Sequence, residues 1–210
     1  MILRKEGFRD YLTKYPLTVL IIVLNIVVMV YVLVSLEAWS NHRVVYDVGG
    51  MSIYHLGEGE LWRLGTYAFF HDGIYHFLFN MFAIAIFSPP VEVILGKGRF
   101  LILFIFSILF TPFPILLATT DSGVGASGFI FALLGFYLYI IFFRKIFIVD
   151  LDKKLIVQFT IYCWLFTFIF SIVTWQVVSI MGHLGGWIVG MICGYLLSNN
   201  YEIKIDKKAM

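Results

Sequence analysis

Residues 16–36 read PLTVLIIVLNIVVMVYVLVSL and contain no charged side chain. A helix of about 20 apolar residues crosses the roughly 30 Å hydrocarbon layer of a bilayer, so this stretch predicts a transmembrane helix. The whole chain of 210 residues shares this character, with 61% hydrophobic and 13% charged residues and a mean hydropathy of +0.94. Soluble domains carry about 25% charged residues, so the low charge excludes an ordinary soluble domain. With 22 Phe and only 2 Cys, a disordered chain and a secreted disulfide scaffold are also excluded.

Apolar stretches of this kind recur along the chain. They predict spans at 16–36, 75–95, 100–118, 126–143, 155–173 and 179–197. Strand-type alternation of apolar and polar residues is absent, so the predicted fold class is all-α: a polytopic membrane protein built as a six-transmembrane-helix bundle. The pair Pro89-Pro90 is expected to kink or interrupt the second span. No linker or internal repeat divides the sequence, and we expect a single domain over residues 1–210.

Basic residues predict the orientation of the bundle. With the N-terminus inside, only Arg43 and Arg63 of the 15 Lys and Arg residues fall in outer segments. Cytoplasmic loops of membrane proteins are enriched in Lys and Arg, so both termini are predicted to be cytoplasmic. The net charge of +2 then reflects basic loops beside an anionic leaflet, and no nucleic-acid partner is expected.

The outer connection at 37–74 is long and rich in aromatic residues among polar ones. The residues concerned are Trp39, Tyr46, Tyr54, Trp62, Tyr67, Phe69 and Phe70. Amphipathic rings favour the boundary between lipid and water. We therefore expect this segment to lie partly in the interface rather than to form a flexible linker.

Polar side chains inside the spans stand at a common depth. Asn80 lies 17 residues before Lys97, Ser127 lies 17 before Arg144, and His183 lies 16 before Asn199. At about 1.5 Å per residue, each side chain is about 24–25 Å above the inner end of its span. Polar groups are costly at membrane depth, so three at one level, a few ångströms below the outer surface, indicate a shared site.

Small residues predict which spans pack together. Gly182, Gly186, Gly190 and Gly194 recur every four residues along the sixth span, and Gly128, Ala132 and Gly135 form a small face on the fourth. Such faces let helix backbones approach closely. We expect this packing to bring the His183 ring towards the Ser127 hydroxyl.

A serine hydroxyl becomes a strong nucleophile when a histidine removes its proton. Ser127 is predicted at a helix start, where free N–H groups and the helix dipole favour a developing oxyanion. His76 and Asn80 share one helix face and are predicted to donate to the same oxyanion. No carboxylate is predicted at this level inside a span, so the simplest catalytic arrangement is a Ser127–His183 pair.

Metal binding is not expected. His71 and His76 are five residues apart, on different faces of a helix, and no acidic or cysteine cluster joins them. Cys163 and Cys193 fall inside predicted spans and are interpreted as small buried hydrophobic residues. A disulfide between them requires their two helices to meet at that point.

Five motifs together resemble those of the rhomboid family of intramembrane serine proteases, in the family's order. They are Trp62-Arg63 with Thr66, His76-x-x-x-Asn80, Glu92 with Leu95-Gly96 and Arg99, Gly125-Ala126-Ser127-Gly128, and His183-x-x-Gly186-x-x-x-Gly190. The resemblance runs from about residue 16 to residue 197. Two positions depart from the usual pattern: Phe131, where relatives often have Tyr beneath the histidine, and Gly182, where Ala is common.

The resemblance implies specific roles. Ser127 is the expected nucleophile and His183 the general base, while His76, Asn80 and the Ser127 N–H are the expected oxyanion hole. The expected substrates are membrane proteins cut within or beside a transmembrane helix, the fifth span is the expected substrate gate, and no cofactor is used. The form without a seventh span resembles the basic bacterial type, which implies a bacterial plasma membrane.

Two alternatives are weighed against this function. A catalytically inactive relative that binds membrane clients usually lacks the serine or the histidine, and both are present here. A small transporter or channel needs polar groups strung through the membrane or discontinuous helices at the midplane. The polar groups of this sequence cluster instead near one face. The oligomeric state and the physiological substrate are not predicted.

Overall fold

The computed structural model describes residues 6–35, 44–118, 122–144, 153–175 and 177–198. Within these ranges the chain is helical apart from its connections and one isolated antiparallel bridge between Met51 and Gly123. A 3-10 turn covers Tyr67–Phe69. The helices are α1 Phe8–Lys14, α2 Pro16–Ser35, α3 Val44–Val48, α4 Ile53–Gly57, α5 Arg63–Thr66, α6 Ile74–Phe110, α7 Pro112–Ala118, α8 Ser127–Phe142, α9 Lys153–Thr174 and α10 Val177–Ser198.

The long helices have the length and composition of membrane spans. Four segments of the described chain qualify, namely Pro16–Ser35, Ile74–Ala118, Lys153–Thr174 and Ser179–Ser198, and the shorter α8 is also apolar. The protein is therefore a multi-pass, all-helical membrane protein. Helices α2, α8, α9 and α10 lie within two residues of the predicted boundaries. The count of six crossings and the sidedness of the termini stay predictions.

Helix α6 contains the predicted span 75–95 and the first part of the span 100–118, and the chain turns back between them at Gly96. This glycine has φ 71° and ψ 163°, a left-handed conformation that residues with a Cβ rarely adopt. The two halves return to one level: the Tyr67 hydroxyl donates to the Ile108 carbonyl at 3.1 Å, and the Tyr67 carbonyl accepts from Gly125 N–H, beside His76. A straight helix would separate His76 from Ile108 by about 48 Å.

The helical backbone continues through Pro89 and Pro90, so the predicted interruption there is not observed. Proline has no N–H, and Pro89 leaves the Ala85 carbonyl without its usual partner four residues on. The Tyr11 hydroxyl on α1 donates to this carbonyl at 3.0 Å. The short N-terminal helix thereby satisfies a backbone oxygen that the proline exposes. Helix α6 ends at Phe110 and α7 begins at Pro112; Thr111 between them keeps a helical backbone conformation.

Glu92 joins α6 to the beginning of α2. Its side chain is buried, and its two carboxylate oxygens accept from the N–H groups of Leu17 and Thr18 at 3.0 and 2.9 Å. The Thr18 hydroxyl adds a third bond of 2.7 Å. The first N–H groups of a helix lack intrahelical partners and favour negative charge. A buried carboxylate is therefore neutralised in part by the start of a neighbouring helix.

Helix α8 lies at the centre of the bundle and packs most closely against α10. A Cβ added to Gly186 or Gly190 would overlap the carbonyl oxygen of Gly128 or Ala132, and one added to Gly135 would overlap that of Trp187. The predicted contact between the two glycine faces is confirmed. Gly182, at the end of the predicted stripe, packs instead against Ile115 of α7.

Replacing Gly190 with alanine should lower the thermal unfolding temperature, because the added methyl group would overlap the backbone of Ala132 on α8. Overpacking of this kind costs about 1–3 kcal/mol. Gly98→Ala is the matched control, since Gly98 is helical and nothing lies within 4 Å of its added Cβ. The control should be neutral or stabilising by up to about 1 kcal/mol. Equal unfolding temperatures for the two variants, measured by circular dichroism in detergent, would contradict the close packing.

Candidate functional site

The outer segment, residues 44–73, is organised around a buried arginine. Arg63 donates through Nη1 to the Gly50 carbonyl and through Nη2 to the Asp47 carbonyl, each at 2.7 Å. Its Nε pairs with the Glu60 carboxylate. A guanidinium offers five N–H donors in a fixed plane, so one side chain can bond to several parts of the backbone at once. Residues 44–73 are therefore held by internal hydrogen bonds; Trp39 lies outside the described residues, and the position of the segment in the membrane interface stays a prediction.

This segment holds the non-helical turn at 122–126, which precedes α8. Met51 and Gly123 exchange two backbone hydrogen bonds of 3.0 and 2.9 Å. The Gly125 N–H donates to the Tyr67 carbonyl at 3.0 Å, and the Ala126 N–H donates to His71 Nε2 at 3.4 Å. The backbone just before Ser127 is thus paired with side-chain and backbone groups of the outer segment.

Gly125 brings His76 close to this turn. Its φ of 114° lies in the left-handed region, and an added Cβ would stand 2.7 Å from His76 Cε1 and 2.8 Å from Nε2. Both the conformation and the missing side chain are therefore required. The imidazole of His76 lies against the backbone two residues before Ser127.

Ser127 and His183 meet across the α8–α10 contact. The Oγ of Ser127 lies 2.9 Å from Nε2 of His183, although 56 residues separate them. Both side chains are partly accessible rather than fully buried. Ser127 is also the first residue of α8, so its own N–H has no intrahelical partner.

The His183 ring is held on two further sides. Phe131 of α8 stacks on it with ring centroids 4.0 Å apart and an interplanar angle of 9°. Nδ1 of His183 lies 2.7 Å from Oγ1 of Thr167 on α9. Trp164 in turn packs edge-on against Phe131. Side chains from two helices thus fix the plane of the ring and the position of its second nitrogen.

Asn80 lies one turn below His76 and is buried. Its Nδ2 donates to the His76 carbonyl at 2.7 Å, and its Oδ1 has no hydrogen-bond partner within the described ranges. An amide nitrogen carries two hydrogens, so one remains for another acceptor. Asn80 and His76 are therefore on the same face of α6, and His76 faces the turn that leads to Ser127.

Two residues of the site, His71 and Thr167, make contacts that the sequence did not predict. His71 is buried, donates from Nδ1 to the Phe69 carbonyl at 3.3 Å and accepts from Ala126 at Nε2. Burial, and then the neighbouring His76, hold the pKa of His71 well below its ordinary value, which keeps the ring neutral and able to accept. Both ring nitrogens are engaged, so neither is available to a metal.

Thr167 is the second such residue, and depth could have revealed it. It lies 14 residues from Lys153, where α9 begins, so it stands about 21 Å along that helix. This is close to the level computed for Ser127 and His183. Hydroxyls are common in membrane helices, however, and the rotation of α9 about its axis is not readable from depth alone.

The arrangement can perform general-base chemistry on a hydroxyl. An imidazole nitrogen within hydrogen-bond reach of a serine oxygen can remove its proton as the oxygen attacks a carbonyl. Free N–H groups at the start of α8 lie where a developing oxyanion would be stabilised. The described residues contain no group of three His, Cys, Asp or Glu side chains arranged to hold a metal ion.

The fold and site define a class: a multi-pass helical membrane protein in which a serine and a histidine from adjacent helices share a hydrogen bond. The family model described as the rhomboid domain matches residues 58–200. The Bacillus subtilis (strain 168) protein YdcA, provisionally named a rhomboid protease, is 34% identical over 92% of this chain and 96% of its own length. The chain belongs to the rhomboid family.

Two other relatives are proteins of which this chain covers only a part. The Bacillus subtilis (strain 168) rhomboid protease GluP is 31% identical over 88% of this chain and 35% of its own length. The rhomboid protease GlpG of Photorhabdus laumondii is 29% identical over 60% of this chain and 44% of its own length.

Gly125→Ala should destabilise the turn before Ser127, since the added methyl group would strain the left-handed backbone and collide with His76. We expect a lower unfolding temperature than for Gly59→Ala. Gly59 has a similar positive φ of 85° but open space around its added Cβ, so it isolates the backbone strain. Thermal unfolding by circular dichroism measures both variants. A Gly125 variant no less stable than the Gly59 control would refute the close contact with His76.

Proposed function

We propose that this protein is an intramembrane serine endopeptidase that cleaves transmembrane or juxtamembrane segments of other membrane proteins. The observation that carries the proposal is the 2.9 Å contact between Ser127 Oγ and His183 Nε2. Membership of a family whose relatives are named as proteases supports the same conclusion. Ser127 is the proposed nucleophile and His183 the proposed general base, which together form a catalytic dyad.

The reaction follows from the positions of these groups. The Ser127 hydroxyl gives its proton to Nε2 of His183 while its oxygen attacks the carbonyl carbon of the scissile peptide bond. The tetrahedral intermediate collapses, the C–N bond breaks, and His183 returns the proton to the leaving amine. Water, activated by the same histidine, then hydrolyses the acyl-enzyme and restores the Ser127 hydroxyl.

An oxyanion hole completes the proposed machinery. The negative oxygen of the intermediate would accept hydrogen bonds from the Ser127 N–H and from the side chains of His76 and Asn80. The contact of His76 with Gly125 and the free second hydrogen of Asn80 support these roles. Fixed donors aimed at developing charge commonly account for a large share of a catalytic rate enhancement.

The proposed setting is a bacterial plasma membrane, crossed six times, with both termini in the cytoplasm and a single domain over the chain. The two Bacillus relatives support the bacterial setting, and the distribution of basic residues supports the sidedness of the termini. Substrate helices would enter from the surrounding lipid, with α9 as the gate. The proposed catalysis requires no cofactor, and the proposed partners are transmembrane substrates.

Purified protein in detergent or liposomes should cleave a fluorogenic transmembrane substrate, and Ser127→Ala and His183→Ala should each abolish cleavage. Each change removes one participant in proton transfer. Ser107→Ala is the control, because Ser107 is another helical serine whose side chain bonds only to the Phe104 carbonyl among described contacts. Cleavage that persists in either dyad variant would reject the mechanism.

A fluorophosphonate probe separates this function from that of an inactive, client-binding relative. The probe forms a bond to an activated serine, so labelling should require both Ser127 and His183. A wild-type protein that binds a substrate helix but neither labels nor cleaves would support the inactive alternative. The experiment uses intact protein and does not depend on identifying the natural substrate.

Asn80→Ala should lower kcat about 100-fold with little change in KM, because the lost donor contacts charge that develops only in the transition state. Asn25→Ala is the matched control. Asn25 is buried on α2, its Nδ2 likewise donates to the carbonyl four residues earlier, at 2.8 Å, and its Oδ1 also lacks a described partner. Equal kcat values for the two variants would show that Asn80 does not contribute to the oxyanion hole.

A further inference from the structure

Thr167 occupies a decisive position beside the His183 ring. It lies on α9 with only 2% of its surface exposed, and its Oγ1 is 2.7 Å from His183 Nδ1. The same oxygen is 2.8 Å from the Cys163 carbonyl, one turn earlier on α9. The hydroxyl therefore stands between a ring nitrogen and a backbone carbonyl.

The number of available hydrogens determines which atom donates in each contact. A carbonyl oxygen can only accept, and a threonine hydroxyl has one hydrogen. When the hydroxyl donates this hydrogen to the Cys163 carbonyl, Oγ1 presents a lone pair to His183. Nδ1 must then carry the ring proton. Nε2 is then unprotonated and faces the Ser127 hydroxyl at 2.9 Å. This is the tautomer that a general base for Ser127 requires.

The opposite tautomer satisfies fewer of the observed contacts. If Thr167 donated to Nδ1, the ring proton would lie on Nε2 and point at the Ser127 oxygen. The short contact to the Cys163 carbonyl would then contain no hydrogen. Because both distances at Oγ1 are within hydrogen-bond range, the arrangement with Nδ1–H uses each of them and is favoured.

We propose that Thr167 is a positioning residue that holds His183 as the Nδ1–H tautomer and accepts from that N–H as the ring becomes positively charged. It would act where an aspartate acts in Ser-His-Asp triads, but as a neutral acceptor. A hydroxyl avoids placing an additional carboxylate in an apolar bundle, where an ionised group is costly. This inference rests on the proposed function, since it concerns the base of that reaction.

The proton balance of the step is simple. The Ser127 proton moves to Nε2, which leaves an imidazolium with hydrogens on both nitrogens. The Nδ1–H to Thr167 bond then becomes a charge-assisted hydrogen bond, stronger than its neutral counterpart. The Thr167 hydroxyl donates its own hydrogen to the Cys163 carbonyl throughout the step. Its effect is therefore greater in the transition state than in the resting enzyme.

A kinetic comparison tests this role. Thr167→Val keeps the shape and removes the hydroxyl, and it should lower kcat by about 10- to 100-fold with KM little changed. Thr167→Ser restores the hydroxyl and should keep most of the activity. Thr160→Val is the matched control: Thr160 is buried on the same helix and donates to the Ile156 carbonyl at 2.8 Å. Its turnover should remain at the wild-type level.

Nitrogen NMR of protein labelled with 15N in its histidine rings tests the tautomer directly, with the His183 signals assigned by comparison with His183→Ala. Wild-type His183 should show a protonated Nδ1 and an unprotonated Nε2. Thr167→Val should yield a mixture of tautomers, while Thr160→Val should not change the spectrum. A wild-type ring protonated at Nε2, or an unchanged tautomer and kcat in Thr167→Val, would overturn the inference.

The two readouts separate the inference from the proposed function. If the wild-type protein neither cleaves nor labels, proteolysis is rejected, yet the wild-type NMR spectrum still decides the tautomer that Thr167 imposes. If the protein cleaves but Nε2 carries the proton, the function stands and the role of Thr167 is rejected. Thr167→Ala replaces Thr167→Val if the valine variant unfolds at a lower temperature than the wild type.

Discussion

The backbone that precedes α8 must be hydrogen-bonded although it is not helical. Helix α8 has 16 residues and is about 24 Å long, shorter than the roughly 30 Å hydrocarbon layer. Ser127 is predicted to lie a few ångströms below the outer surface, so the N-terminal end would lie within this layer, where unpaired N–H and C=O groups cost several kcal/mol. The outer segment provides the missing partners through Met51, Tyr67 and His71. A folded outer segment is thus a condition for placing Ser127 at depth.

The same need to pair backbone polar groups explains other contacts between helices. Polar groups that a proline or a helix start leaves without an intrahelical partner are bonded to another element at two further places. Tyr11 donates to the carbonyl that Pro89 exposes, and Glu92 accepts from the beginning of α2. The bundle is therefore joined by polar contacts at its irregular positions and by direct backbone approach at the glycine face of α8 and α10. The close approach of α8 and α10 positions the Ser127 hydroxyl beside the His183 imidazole.

Much of this could be predicted from the sequence. Hydropathy located α2, α8, α9 and α10 to within two residues, and counting residues along helices placed Ser127 and His183 at one level, where they meet. The contribution of His71 could not be predicted, because it depends on how a loop folds over the turn at 122–126. The depth of Thr167 could be counted along α9, but its contact with His183 could not be predicted, since that contact depends on the rotation of α9 about its axis.

The difference between these outcomes has a geometric origin. Composition and periodicity are local, and a helix rises by a constant step, so the amino-acid order determined the helical class, the approximate spans and the depth of each polar group. Lateral placement depends on rotations and tilts that packing sets collectively. The tertiary structure alone decided that His76 contacts Gly125 and that the Thr167 oxygen meets Nδ1 of His183. Hydrogen bonds are short and directional, so these contacts require positions accurate to less than an ångström.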